Sequence, residues 1–131
     1  MDNWIIPCNC NYYDVVSAFE NLDKINWKQS TNIKAGDIIY IYAGKPYSAI
    51  LFKTIATAVN QGERTIKDFE YVIDGTNYID YGRYMELQLI QRYEKSAITF
   101  SELRENGLRS IQGPIKVKPE LQDFIDNISA L

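Results

Sequence analysis

Apolar positions along this chain repeat mostly at every second residue, the spacing of strands that pack one face and wet the other. In a few short stretches they shift to the three-and-four spacing of packed helices. Trp4-Ile5-Ile6-Pro7-Cys8 predicts a short first strand, and Pro7, with no N–H to donate, places it near an edge or an end of a sheet. Asn11-Tyr12-Tyr13-Asp14 is expected to open a helix in which Tyr12, Val15, Phe19 and Leu22 form a core-facing stripe. From Asp37 to Ala43 the chain alternates Ile38, Tyr40 and Tyr42 against Ile39, Ile41 and Ala43. Gly44-Lys45-Pro46 then turns it into a second strand, Ala49 to Val59, so a hairpin is expected.

Residues 60 to 82 carry Gly62, Asp74-Gly75, Asn77 and Gly82 and read as an irregular connection, with a short strand near Phe69 to Ile73. Tyr84 to Tyr93 alternates again, with Met85, Leu87 and Leu89 on one side and Glu86, Gln88 and Arg92 on the other. Thr99-Phe100-Ser101-Glu102 has the spacing of a capping box, and Asn106-Gly107 ends that short helix. Pro119 suits a first helical turn, and Leu121, Phe124, Ile125 and Ile128 give a closing helix one apolar face. No regular strand–helix–strand alternation occurs. The expected fold is α+β: a small, curved, mostly antiparallel sheet or barrel with short helices packed around it, forming one domain over residues 1–131.

Composition narrows the function classes. A chain of 131 residues, 46% hydrophobic and 24% charged, can bury a substantial core. No run nears the roughly 18 apolar residues that a membrane helix needs, and Met1-Asp2-Asn3-Trp4 lacks the basic flank and apolar core of a signal peptide. A cytoplasmic protein without a membrane partner is expected. Histidine is absent, which removes the usual general base near neutral pH, the usual partner of a Ser or Cys nucleophile and the commonest zinc ligand. Cys8 and Cys10 are the only cysteines and read as reduced thiols, since an i, i+2 pair in an extended segment lacks the geometry of a structural disulfide, and a metal there would need two further ligands from carboxylates. Gly36, Gly44 and Gly62 are isolated, so no phosphate-cradling loop can be written. Neither a cofactor nor a metal is expected.

The formal charge is −3 and the pI about 4.9, unlike a protein that depends on nonspecific phosphate contacts. The basic groups are unevenly spread, however. Residues 83 to 118 hold seven, including Arg83, Arg109, Lys116 and Lys118, against four acidic ones, so a weakly basic face can form from that part. The plainer reading of those cations is an ordinary solvated surface.

Trp27-Lys28-Gln29-Ser30-Thr31-Asn32, followed by Gly36-Asp37-Ile38-Ile39-Tyr40-Ile41-Tyr42, is the most informative stretch. It sets an aromatic, an amide and two hydroxyls just ahead of a strand with tyrosines on alternate positions, the ingredients of a pocket that stacks a flat ring and reads its polar edge. Taken with Trp4-Ile5-Ile6-Pro7-Cys8-Asn9, Ala35-Gly36-Asp37 and Leu108-Arg109-Ser110-Ile111-Gln112-Gly113-Pro114, in that chain order, it resembles the EVE domain of the PUA-like superfamily. The resemblance is closest to the EVE-like modules often found at the front of modification-dependent restriction endonucleases. It implies a PUA-like β-barrel that binds nucleic acid without catalysis and accepts a flipped modified base, typically a cytosine derivative in DNA, as an accessory reader beside a nuclease. Carried onto this chain, it nominates Trp27, Gln29, Ser30, Thr31, Asn32, Tyr40 and Tyr42, with Trp4 and Asn9 as neighbours. Arg83, Arg109, Lys116 and Lys118 are the candidate phosphate contacts.

Each nominee has a plainer reading. Trp27 reads equally as core, at least one of Tyr40 and Tyr42 as interior, Trp4 as packing, and Gln29 to Asn32 as a loop bonding its own backbone. RNA binding, or a protein-interaction domain that kept the barrel and lost the pocket, are the rival functions. A carboxylate enzyme using Asp37, Asp74 or Asp80 is a third, weakened by the lack of metal-ligand spacing.

Overall fold

The computed structural model describes residues 1–63, 69–73 and 83–128. Among them, six strands form one sheet: β1 (Asn3–Cys8), β2 (Lys24–Lys28), β3 (Ile38–Ala43), β4 (Ala49–Gln61), β5 (Tyr84–Arg92) and β6 (Ile115–Lys116). Their order is β2-β5-β4-β3-β1-β6. Every pairing is antiparallel except β1 with β3, which run parallel with Trp4 opposite Ile39 and Cys8 opposite Ala43. Three α-helices complete the described fold: α1 (Val15–Asn21), α2 (Phe100–Glu105) and α3 (Pro119–Asp126).

Strand alternation divides the interior into two cores, one on each face of the sheet. Trp4, Ile6 and Cys8 of β1, Ile39 and Ile41 of β3, Trp27 of β2, and Met85 and Leu87 of β5 meet Val15, Ala18 and Phe19 of α1 in the first core. Ile5 of β1, Ile38 and Tyr40 of β3 and Ile50 of β4 pack with Leu103 of α2 and Leu121 and Ile125 of α3 in the second. The strands shared by the two cores are covered on both sides, so they read as near-continuous apolar runs. In β4 the register shifts opposite Ile41/Tyr42, and Leu51 and Phe52 both enter the first core. Two adjacent residues on one face are what a bulge produces, together with a local bend. Three further shifts between β4 and β5 carry that bending along the sheet.

The sheet curves but does not close, which corrects the expected barrel: β2 ends it on one side and β6 on the other. Local chemistry explains the opening. β6 is two residues long and pairs only with Trp4 and Ile5, and Pro7 has no N–H with which to continue a ladder on the exposed half of β1.

The hairpin of β3 and β4, the strand beginning at Tyr84, the capping box and the Pro119 helix all form where the sequence predicts them. The first helix starts later than expected. The Asp14 carboxylate accepts from Ser17 N at 3.1 Å and caps α1, leaving Tyr12 in the preceding turn rather than in a helical stripe. Near Phe69 to Ile73 the chain forms a 3₁₀ turn over Phe69–Tyr71 and then a single bridge, Val72 with Tyr13, in place of a strand. The turns foreseen at Asp74-Gly75, Asn77 and Gly82 lie outside the described residues.

Candidate functional site

The open seam of the sheet holds a cleft of about 370 Å³. One wall is the end of β1, with Ile6 and Pro7, continuing into Asn9. The facing wall is the end of β2, with Trp27 and Lys28 running on to Ser30, and the segment Ile111-Gln112-Gly113-Pro114 completes the lining. Tyr12, 37% exposed, joins them from the turn ahead of α1. The cleft therefore offers apolar surface from Ile6, Pro7 and Pro114, an accessible phenol ring, and polar ends from Asn9, Ser30 and Gln112. A flat heteroaromatic ring fits such chemistry: stacking for its faces, amides and hydroxyls for its edge.

Trp27 contributes little more than an edge. It is 1% exposed and meets the Tyr13 ring edge-on at 5.2 Å and 76°, so it is chiefly a core residue that also touches the cleft. Gln29 is fully buried and works as a strut. Its Nε2 donates to the Thr31 and Ile33 carbonyls at 3.2 Å each, and its Oε1 accepts from Asn60 N at 2.7 Å. Those bonds fix the loop that follows β2, and with it Ser30, while using up the amide that was nominated to read a base. Neither Thr31 nor Asn32 is part of the cleft lining.

Tyr40 and Tyr42 lie on the opposite face of the sheet. Tyr40 is 1% exposed in the second core, and its hydroxyl accepts from Gln122 Nε2 at 2.9 Å. Gln122 in turn accepts from Asn3 Nδ2 at 2.8 Å, linking α3 to β1 and β3. Tyr42 packs against Phe100 at 6.0 Å. Trp4 lies in the first core, its indole N–H donating to Asp37 Oδ2 at 3.0 Å. The nominated set thus separates: Asn9, Trp27 and Ser30 meet at the seam, and Trp4, Tyr40 and Tyr42 do not. Tyr12, Lys28 and Gln112 were missed. Tyr12 stands two residues ahead of the N-cap Asp14, and the available signal was that paired tyrosines before a helix start cannot both face the core: Tyr13 is buried and Tyr12 is left exposed.

A second cleft, about 540 Å³, adjoins the seam. Arg109, Lys116 and Lys118 line it with Leu108, Ile115 and Leu121, so three of the four candidate phosphate contacts share one concavity. Arg83 lies elsewhere, donating through Nε and Nη2 to Asn60 Oδ1 at 3.2 and 2.8 Å.

Asp37 and the two cysteines, none of them in the cleft lining, are electrostatically tuned. Burial alone would raise the Asp37 carboxyl, but N–H bonds from Asp2, Lys34 and the Trp4 indole, each 3.0 Å, outweigh it and hold the group below the ordinary carboxylate value. Asp37 is thereby a fully engaged turn anchor. Among the described residues, no group of three or more Cys, Asp or Glu is placed to hold a metal, and Asp74 and Asp80 fall outside them. The two free thiols are polarised against each other: a bond toward Cys10, together with burial, pushes Cys8 well up, while the same bond draws the half-buried Cys10 down. Among the described residues, no helix is long and apolar enough to cross a membrane.

No protein-family model and no curated protein matches the sequence. Solved structures do match the fold. ASCH from Zymomonas mobilis superposes with a TM-score of 0.64 at 13% identity, over 98% of this chain and 96% of that one. A protein from Pseudomonas putida gives 0.62 at 14% identity over 95% and 97%, and a hypothetical protein from Leishmania major 0.58 at 12% over 95% and 92%. Across nearly its whole length, this chain therefore has the fold of the Zymomonas mobilis ASCH structure, built here as an open six-stranded sheet.

Proposed function

We propose that the chain is a noncatalytic nucleic-acid reader that takes one modified base into the seam cleft, with a 5-modified cytosine in DNA as the first candidate, in the manner of an EVE-type accessory module beside a nuclease. The observation that carries this reading is the meeting of Tyr12, Asn9 and Ser30 around about 370 Å³ of partly apolar space. The likeness to ASCH structures supports nucleic acid as the ligand class, and the absence of histidine supports a binding rather than a catalytic role. A base removed from its stack loses a few kcal/mol, which aromatic contact restores at about 1–3 kcal/mol. One added methyl group changes recognition by only about 1–3 kcal/mol, so the selectivity expected is partial.

The test is a low-salt anisotropy titration of DNA and RNA oligonucleotides carrying cytosine, 5-methylcytosine or 5-hydroxymethylcytosine at one position. Tyr12→Ala is expected to weaken binding of the preferred strand by about 5- to 150-fold, the equivalent of one lost stacking contact, and Asn9→Ala and Ser30→Ala to narrow the preference among modifications. Trp27→Ala is a poor probe, because truncating a buried Trp costs about 3–5 kcal/mol of stability before any binding is read. Modified and unmodified strands binding alike, with Tyr12→Ala unchanged, would leave the base-reader reading without support. RNA binding in preference to DNA would redirect it.

A further inference from the structure

The seam cleft and the basic cleft are consecutive along one segment: residues 106–110 line the basic cleft and 111–114 the seam. They are also joined along β1, where Trp4 and Ile5 pair with Lys116 and Ile115 and the next two residues, Ile6 and Pro7, wall the seam. A ligand leaving the seam toward β6 therefore enters a groove with cations on its rim and Leu108, Ile115 and Leu121 on its floor.

The cations are not equally committed. Lys116 reaches Asp2 at 3.6 Å and lies 5.4 Å from the centre of the Trp4 ring. Arg109 and Lys118 are exposed and, among the described residues, in no ion pair. Among the described residues, Glu120 is the only carboxylate in the lining.

We propose that the basic cleft is the backbone track for a single strand, so that the ligand is single-stranded nucleic acid whose base occupies the seam and whose neighbouring phosphates lie against Arg109 and Lys118. The proposal rests on the reading of the seam as a base site and adds the form of the ligand. Two features favour a single strand over a duplex. Free strands are held in charged grooves with apolar or aromatic surface against sugar and base, which is the make-up of this cleft. A duplex carries the denser phosphate charge, and a chain of net charge −3 with two uncommitted cations in its groove is poorly matched to it.

The experiment uses wild type and an Arg109→Gln/Lys118→Gln double variant against three probes: a free modified nucleoside, a short single-stranded oligonucleotide bearing that base, and the same oligonucleotide annealed to its complement. Wild type is expected to bind the single strand more tightly than both the nucleoside and the duplex. The double variant is expected to bind the strand at least about tenfold more weakly, to lower the slope of log K against log salt by about 1.4, two phosphate contacts' worth for a single strand, and to leave nucleoside binding unchanged. Tighter binding of the duplex, or a double variant with the wild-type strand affinity and salt slope, overturns the proposal while the base site stands. Wild type binding none of the three probes overturns both.

Discussion

Asp37 illustrates how one residue can be structural while looking chemical. It follows Gly36, which sits at φ +95°, and its side chain collects N–H donors from the chain start, the Lys34 turn and the Trp4 indole. Replacing it with Asn removes the charge that those donors share, and a loss of about 2–3 kcal/mol is expected, in the range for bonds to a charged group. The same bonds set an acid limb. Because the folded group titrates below its unfolded value, its contribution is whole above the unfolded pKa and fades as pH falls through the folded one. Urea midpoints measured from pH 6 down to pH 3 should drop in wild type and drop less in Asp37→Asn; parallel curves would refute the assignment. Tyr93 gives the opposite limb. Burial, with smaller effects from Tyr40 and Asp126, pushes its phenol up to about 12, so its contribution is whole below the unfolded value near 10 and is lost as pH rises through 12. Tyr93→Phe should flatten the loss of stability above pH 10 when urea midpoints are measured on the alkaline side, from pH 8 upward.

Among the elements, α2 is the one whose existence rests most on local chemistry. It spans six residues and carries a complete capping box: Glu102 N donates to Thr99 Oγ1 at 3.3 Å and Thr99 N to Glu102 Oε1 at 3.4 Å. Thr99→Ala is expected to cost about 1 kcal/mol, the usual worth of an N-cap, seen as a lower denaturation midpoint with an unchanged slope; no shift would mean that packing of Leu103 alone holds the helix. Such elements are legible in a sequence because a few adjacent residues decide them. The hairpin around Gly44-Lys45-Pro46 and the closing helix with Pro119 at its first turn are legible for the same reason. β2 was not, because Ile25 and Trp27 are only two alternating apolar positions in a five-residue stretch, too few to set a period, and its pairing with β5 is made across more than fifty residues. The site was legible in part. Chain order brought Asn9 and Trp27-Ser30 to notice, but Tyr40 and Tyr42 look identical whether their face meets a ligand or α3, and only the packing of α2 and α3 decides between the two. Gln29, read as an edge reader, gives its amide to two carbonyls and an N–H that no local rule would have found.

At the scale of the whole molecule, β1, β3 and β4 supply alternate residues to both cores, so neither core can loosen without disturbing strands that the other needs. The seam has the opposite character: there β1 and β2 line a common space without sharing a ladder. A two-core sheet whose β1 and β2 face each other across an unladdered seam presents a cleft walled by packed strands, which suits recognition without large rearrangement. The coupling of the cores is measurable because both tryptophans, Trp4 and Trp27, lie in the first core. Leu103→Ala truncates a fully buried side chain in the second core, on the far side of the sheet, and should cost about 2–5 kcal/mol. If the sheet transmits that loss, tryptophan fluorescence and far-UV circular dichroism will report one transition at one lowered midpoint. If fluorescence keeps the wild-type midpoint while circular dichroism falls early, the two faces unfold separately, and a coupling of the cores through shared strands is no longer tenable.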